Sequence, residues 1–218
     1  MKILAVDTAL GACSAALLEE DRILAHRFAA MERGHAEALA PMVEEVMGEA
    51  RFAFQALDRL AVTVGPGTFT GQRVGLAFMR GLRVALGKPL LGVTSLAAMA
   101  EQARAETCVS CAAAIHDARR GEVYLEVLDP PLSARLLTFM EACSALGGLR
   151  GKIVLAGTAA ARTAEALQTS GLKTQVCGIV VPDAVWVARL AARMEPGGFP
   201  PRPLYLRAPD AKLPATRP

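Results

Sequence analysis

The residues best placed to do chemistry fall in one stretch, LAVTVGPGTFTGQRV at positions 60–74. An apolar strand runs into a glycine-rich turn, 65–71, and the turn runs into a helix. The free N–H groups at such a helix start attract anions. The hydroxyls of Thr68 and Thr70 and the guanidinium of Arg73 would add to that pull. It is not a Walker-type phosphate loop, because Gly71 is followed by Gln72 and Arg73 with no lysine. Gly65, Gly67 and Gly71 also have a plainer reading, as residues needed for backbone conformation and close packing. The sequence leaves both readings open. Asp7 and Asp117 each end an apolar run, where a carboxylate could hold a metal or a phosphate-bound magnesium. The alternative for both is a turn residue bonding local backbone, and for Asp117 also an ion pair with Arg119 or Arg120.

Other chemistries lack support. His26, His35 and His116 lie far apart, so no histidine pair has metal-ligand spacing, and His35 reads as a capping or exposed residue at a helix start. No serine sits in a GxSxG elbow. Cys108 and Cys111 form a CxxC match without a second pair. The five cysteines are read as buried thiols.

These residues must be positioned by a fold. Strands are expected at 2–8, 13–18 and 22–29, with a polar turn at 19–21. A helix at 35–47 has Leu39, Met42, Val43, Val46 and Met47 on one face. Then come a strand at 59–64, a helix at 70–86 stopped by Gly87 and Pro89, a strand at 90–93 and a helix at 94–105. The order βββαβαβα describes a ribonuclease-H-like mixed sheet flanked by helices. The pattern then restarts: strands at 109–115, 122–128 and 152–156, a short strand at 136–139, and helices at 159–169 and 182–194. Residues 3–9 can be laid on residues 112–118, which supports a duplicated, two-lobed α/β protein. The expected division is a first lobe at 1–106, a second at 107–195 and an extended, proline-rich segment at 196–218, fraying after Arg207.

The 218 residues carry a net charge of only +3 and 5% aromatics, so the averages show neither an electrostatic footprint for nucleic acid nor a base-stacking surface. Hydrophobic residues at 53% and a mean hydropathy of +0.33 indicate a globular chain. No apolar run approaches the roughly 18–20 residues that span a bilayer. With no targeting segment visible, a cytoplasmic protein without membrane contact is the expectation.

The 70–86 helix is apolar around more of its circumference than a single sheet needs. At about 100° per residue, Gln72, Arg73, Arg80 and Arg83 share a narrow arc. Val74, Gly75, Ala77, Phe78, Met79, Gly81, Leu82, Val84, Ala85 and Leu86 fill roughly 220°. One sheet buries a stripe little wider than about 100°. Gly71 and Gly75, and again Ala77, Gly81 and Ala85, recur every four residues, so another backbone could approach on either side. The surplus is covered either by the rest of the chain or by a second protein.

Five segments, KILAVDTA at 2–9, VGPGTFTGQRVG at 64–75, GVTSL at 92–96, DARRGEVY at 117–124 and PLYLR at 203–207, together resemble the TsaB (YeaZ) family. That family supplies the partner subunit of the bacterial tRNA threonylcarbamoyladenosine transferase complex. The resemblance implies a pair of actin/Hsp70-like (ASKHA) lobes and a helical interface with a second copy or with the catalytic TsaD-like paralogue. The candidate interface residues are Leu39, Met42, Val43, Val46, Met47, Gly71, Val74, Gly75, Phe78, Met79 and Leu82. The paralogue carries an HxxxH metal motif, where this chain has Ser95 and Met99. A neutral hydroxyl and a soft thioether are poor ligands for a hard divalent metal. The implied role is a non-catalytic subunit with no metal or cofactor of its own. ATP or ADP at or near the subunit interface is the one nucleotide candidate, with contacts at Asp7, Gly67, Thr68, Thr70, Gly71 and Arg73. The complex's ATPase subunit is a further implied partner, and tRNA is expected to be reached through the partners. The competing reading is a stand-alone ATPase or metallopeptidase-like enzyme of the same fold.

Overall fold

A computed structural model describes residues 1–197 and 201–207. The first half forms β1 (Lys2–Asp7), β2 (Ala12–Glu19), β3 (Arg22–Ala30), α1 (His35–Glu49), β4 (Arg59–Gly65), α2 (Phe69–Leu86), β5 (Leu90–Thr94) and α3 (Ser95–Thr107). The second forms β6 (Cys111–Arg119), β7 (Glu122–Val127), β8 (Leu132–Thr138), α4 (Phe139–Gly147), β9 (Lys152–Ala156), α5 (Ala160–Ala166), β10 (Lys173–Val176) and α6 (Ala184–Ala192). The sheets run β3-β2-β1-β4-β5 and β8-β7-β6-β9-β10, the same order twice. In each, two antiparallel hairpin pairings lead into parallel pairings reached through helical crossovers.

Helix α4 and strand β10 are additions to the sequence reading, and β8 is longer than the short strand expected. The signal for α4 is local. Thr138 and Glu141 form a capping box, with the Thr138 side chain accepting from the Glu141 N–H and the Glu141 carboxylate accepting from Thr138.

Helices α3 and α6 exchange places. Helix α3 packs on β6, β7 and β9 of the second sheet, while α6 packs on β1, β2 and β4 of the first. Their apolar faces fill two inner cores, one around Ile3, Ala5, Ala61 and Val187, the other around Leu96, Met99, Ala112 and Val154. The expected boundary at residue 106 falls in the last turn of α3, and neither helix lies on the sheet of its own half. The buried Glu101 of α3 accepts from Arg104 and from Arg193 just beyond α6, at 2.7 and 2.8 Å. Those bonds hold its pKa down despite burial. Glu126 of β7 accepts from the hydroxyl of Thr94, the N-cap of α3, and burial raises its pKa.

The outer face of the first sheet carries α1 and α2, and the turn after β1 sets the position of α2. The hydroxyl of Thr8 donates to the Gly71 carbonyl at 2.7 Å and accepts from the Gly75 N–H at 3.0 Å. Those two backbone groups are natural i, i+4 partners within α2. A side chain reaches them because the glycines have no Cβ. A Cβ on Gly71 would lie 2.1 Å from the Thr8 carbonyl, and one on Gly75 2.7 Å from the Thr8 hydroxyl. The Thr68 N–H, just before the helix, donates to the Ala9 carbonyl at 2.8 Å.

Asp7 sits beneath this junction and is fully buried. Its Oδ1 accepts from the Thr63 hydroxyl at 2.6 Å and the Ala9 N–H at 3.1 Å, while Oδ2 has no donor among the described residues. Burial pushes its pKa up to about 7, the two hydrogen bonds oppose that, and the nearby Asp183 adds to it. A carboxyl that holds its proton more tightly when folded contributes stability below its ordinary pKa of 3.8. That contribution is lost as pH rises through about 7. Asp7→Asn stays neutral throughout. Thermal melts at pH 5 and pH 8 are expected to show wild type losing on the order of 2 kcal/mol more than the variant over that range; parallel pH profiles would contradict the assignment. Thr8→Val, which keeps shape but removes the hydroxyl, is expected to destabilise by about 1–3 kcal/mol in urea unfolding, with Thr8→Ser closer to wild type.

Candidate docking surface

The candidate interface residues separate into three groups. Leu39, Val43, Val46, Met47 and Met79 are completely buried in the core between the first sheet and its two outer helices. They present no surface to a partner, which corrects their assignment to an interface. The physical reason is that the strongest apolar periodicity of an amphipathic helix marks the face turned to its own sheet. Gly71 and Gly75 are buried against Thr8, so the close approach that their spacing signals is made by the β1 turn and not by another helix. Met42, Val74, Phe78 and Leu82 are half-buried at the rim of this core.

What remains outside is the other small-residue row. Ala77, Gly81 and Ala85 are exposed, and Val84 beside them is 80% exposed. A Cβ built on Gly81 meets nothing within 4 Å. Ala36 and Ala40 of α1 are also exposed. The surplus apolar arc therefore stays uncovered by the described residues. The sequence reading placed all four in that arc and noted the four-residue spacing of Ala77, Gly81 and Ala85, but left them out of the interface candidates.

The nucleotide candidates disperse as well. Asp7 is sealed inside, and Gly67 and Gly71 pack on the turn after β1; a Cβ on Gly67 would lie 2.2 Å from the Ala9 carbonyl. The Thr68 hydroxyl caps α2 by accepting from the Gly71 N–H at 3.0 Å. Thr70 is exposed, and it lines a cleft of about 410 Å³ with Thr68, Arg33 and the start of α1. A second cleft, about 320 Å³, lies between Gly67–Thr68 and the β6–β7 hairpin, lined by His116, Arg119 and Tyr124. Arg73 lines neither. Its guanidinium stacks 3.5 Å from the Phe69 ring centroid and its Nε donates to the Tyr205 hydroxyl at 2.8 Å. Neither cleft gathers the six residues.

The remaining chemistry-bearing residues have structural partners. Asp117 makes the expected turn, accepting from the Arg119 N–H, and also pairs with Arg162 at 3.3 Å. His35 is buried, contrary to expectation, because its Nε2 reaches the Leu10 carbonyl at 3.0 Å. Burial lowers the pKa of His116. Of the cysteines only Cys13 is fully buried, its thiol pushed up to about 11, first by burial and then by Asp7. Cys108 is exposed because it takes the left-handed C-cap of α3. At the HxxxH position, the buried Ser95 donates to the Pro66 carbonyl at 2.5 Å and Met99 is core. Among the described residues no group of three His, Cys, Asp or Glu is arranged to hold a metal, and no helix is long and apolar enough to cross a membrane.

Comparison with known proteins agrees with this architecture. The family profile described as TsaD, tRNA N6-adenosine threonylcarbamoyltransferase, matches residues 22–195. The Escherichia coli K12 tRNA threonylcarbamoyladenosine biosynthesis protein TsaB is 38% identical over 124 residues, covering 57% of this chain and 53% of that protein. The chain thus spans about half the length of the curated relatives it matches. A crystal structure of a Pseudomonas aeruginosa protein described as similar to the peptidase YeaZ superposes with a TM-score of 0.78 at 30% identity, covering 94% of this chain and 99% of that one. A Thermus thermophilus ROK hexokinase, at 15% identity and a TM-score of 0.52 over 89% of this chain and all of that one, shares the fold alone, which is of the actin/Hsp70-like class. The profile match over most of the sequence and the near-complete YeaZ-like relative place this chain in the TsaB (YeaZ) family.

Proposed function

We propose that this protein is a non-catalytic subunit in tRNA threonylcarbamoyladenosine biosynthesis, which binds a TsaD-like catalytic paralogue, and in its absence a second copy of itself, through the outer face of α2. The observation that carries this reading is the stripe of Ala77, Gly81, Val84 and Ala85, which the fold leaves in solvent on its longest helix. Small residues at four-residue spacing let a second helix come close, and the apolar stripe gains by leaving water. The stand-alone enzyme reading is less favoured. The strand-end carboxylate Asp7 is sealed in the core, and Ser95 and Met99 are committed to packing. The chain's own residues then act by holding α2 rigid and presenting it.

Gly81→Arg and Val84→Arg change only exposed positions, so each is expected to leave the melting temperature within a few degrees of wild type. Each should also weaken association with the paralogue by roughly thirtyfold or more, as measured by mass in solution. Unchanged association in both variants would remove the α2 reading. Gly75→Arg is expected to behave differently. It forces a side chain into Thr8, so it should lose folded protein before it loses a partner.

A further inference from the structure

The flank of α2 away from α1 carries a feature that the docking stripe does not use. The segment Pro201–Arg207 runs antiparallel beside α2. Its Pro201 carbonyl accepts from Arg80 at 2.5 Å, its Leu204 N–H donates to the Val64 carbonyl at 2.8 Å, and its Tyr205 hydroxyl accepts from Arg73. Leu204 anchors it to the core. At its end Arg207 pairs with Glu122 of β7, beside the hairpin that carries the exposed Arg119. The 18 residues of α2 hold three arginines and the seven residues of this strap hold two, with no acidic residue in either. Those five charges exceed the net +3 of the whole chain.

Two aromatic rings are set into this strip. Phe69 is 60% exposed and Tyr205 47% exposed, and they stack with centroids 5.8 Å apart and planes 25° from parallel. Arg73 lies against both rings, 3.5 and 5.8 Å from their centroids. Phe69 stands at the first turn of α2, which Thr68 already caps, and its ring faces outward. Held in place by a cation and a neighbouring ring, it is a flat, pre-organised π-surface flanked by positive charge. Unpaired nucleotides are recognised in this way, with bases stacked on aromatic faces and arginines on the phosphates. A protein partner could also cover aromatic rings and arginines, but a row of arginines with no acidic residue among them, beside a stacked ring pair, favours a polyanion with planar bases.

We infer that the Phe69–Arg73–Tyr205 stack and the arginines beside it form a contact site for unpaired nucleotides of RNA, which in the pathway proposed above would be tRNA. The contact is direct, where the family resemblance had implied one made through partners. The inference rests on the proposed function for the identity of the RNA, but not for the site.

The test is fluorescence anisotropy with a labelled single-stranded RNA oligomer and with an unmodified tRNA transcript. The full chain is titrated alone and together with the TsaD-like paralogue, at several salt concentrations. Phe69→Ala is expected to weaken RNA binding about 5- to 100-fold. Arg83→Gln should reduce the slope of log affinity against log salt by about 0.7. Both variants should keep wild-type melting and wild-type mass with the paralogue, while Val84→Arg should lose the paralogue but keep RNA binding by the isolated chain. The inference is overturned if neither RNA binds in a salt-dependent way, if Phe69→Ala binds as wild type does, or if the variants lose the paralogue and leave RNA binding intact. That last result would make the strip the rim of a protein interface.

Discussion

The Thr8 hydroxyl, held between the Gly71 carbonyl and the Gly75 N–H, fixes how α2 is rotated on the sheet. A helix on a sheet can roll by tens of degrees if only apolar side chains hold it, because that contact has no direction. A hydroxyl inserted against two specific backbone groups removes the freedom, and the two glycines at 71 and 75 make room for it. Asp7 below and Ala9 above tie the same turn to β4 and to the start of the helix. Once the glycine side of α2 is committed inward, the row Ala77, Gly81 and Ala85 must point outward. The exposed stripe is therefore a geometric consequence of one buried threonine.

The exchange of α3 and α6 gives that helix a firm base. Each inner helix buries its apolar face on the sheet of the other half, so the two sheets share a central layer. The Glu101 carboxylate, nearly out of solvent, accepts from arginines on both inner segments, and breaking such a buried arrangement leaves an unpaired charge. Glu126 ties the second sheet to the N-terminus of α3 through the Thr94 hydroxyl, and beside it Ser95 bonds the Pro66 carbonyl while Met99 packs in the core.

Periodicity made the double sheet, the α2 arc and most elements legible, because alternation and the 3.6-residue repeat report burial directly. The same property misled the interface assignment. Val43 and Met79 are the most regular apolar positions of their helices and for that reason lie deepest in the monomer. Which of two small-residue rows faces inward depended on Thr8, more than sixty residues before the helix it touches, and no local pattern could reveal it. Asp7 and Asp117 looked alike as strand-end carboxylates. Laying residues 3–9 on 112–118 already matched Asp7 with His116, one position short of Asp117. Strand alternation then turns Asp7 into the inner layer and leaves Asp117 in solvent. The aromatic stack was invisible for a similar reason: 132 residues separate Arg73 from Tyr205, and a composition of 5% aromatics says nothing of where they meet.

The two borders of the stripe carry opposite charge. On one side lies α1, with Glu37, Glu44, Glu45 and Glu49, of which Glu45 and Glu49 are paired to Arg27 of β3. On the other lie the arginines of α2 and the strap. Apolar contact along a small-residue row is nearly indifferent to direction, since a helix laid either way buries similar area. Charge at the borders is not indifferent. A helix pair approaching in one orientation sets its own acidic border against the arginines, and in the other sets like against like, at a cost in orientation that water screens only partly at such a rim.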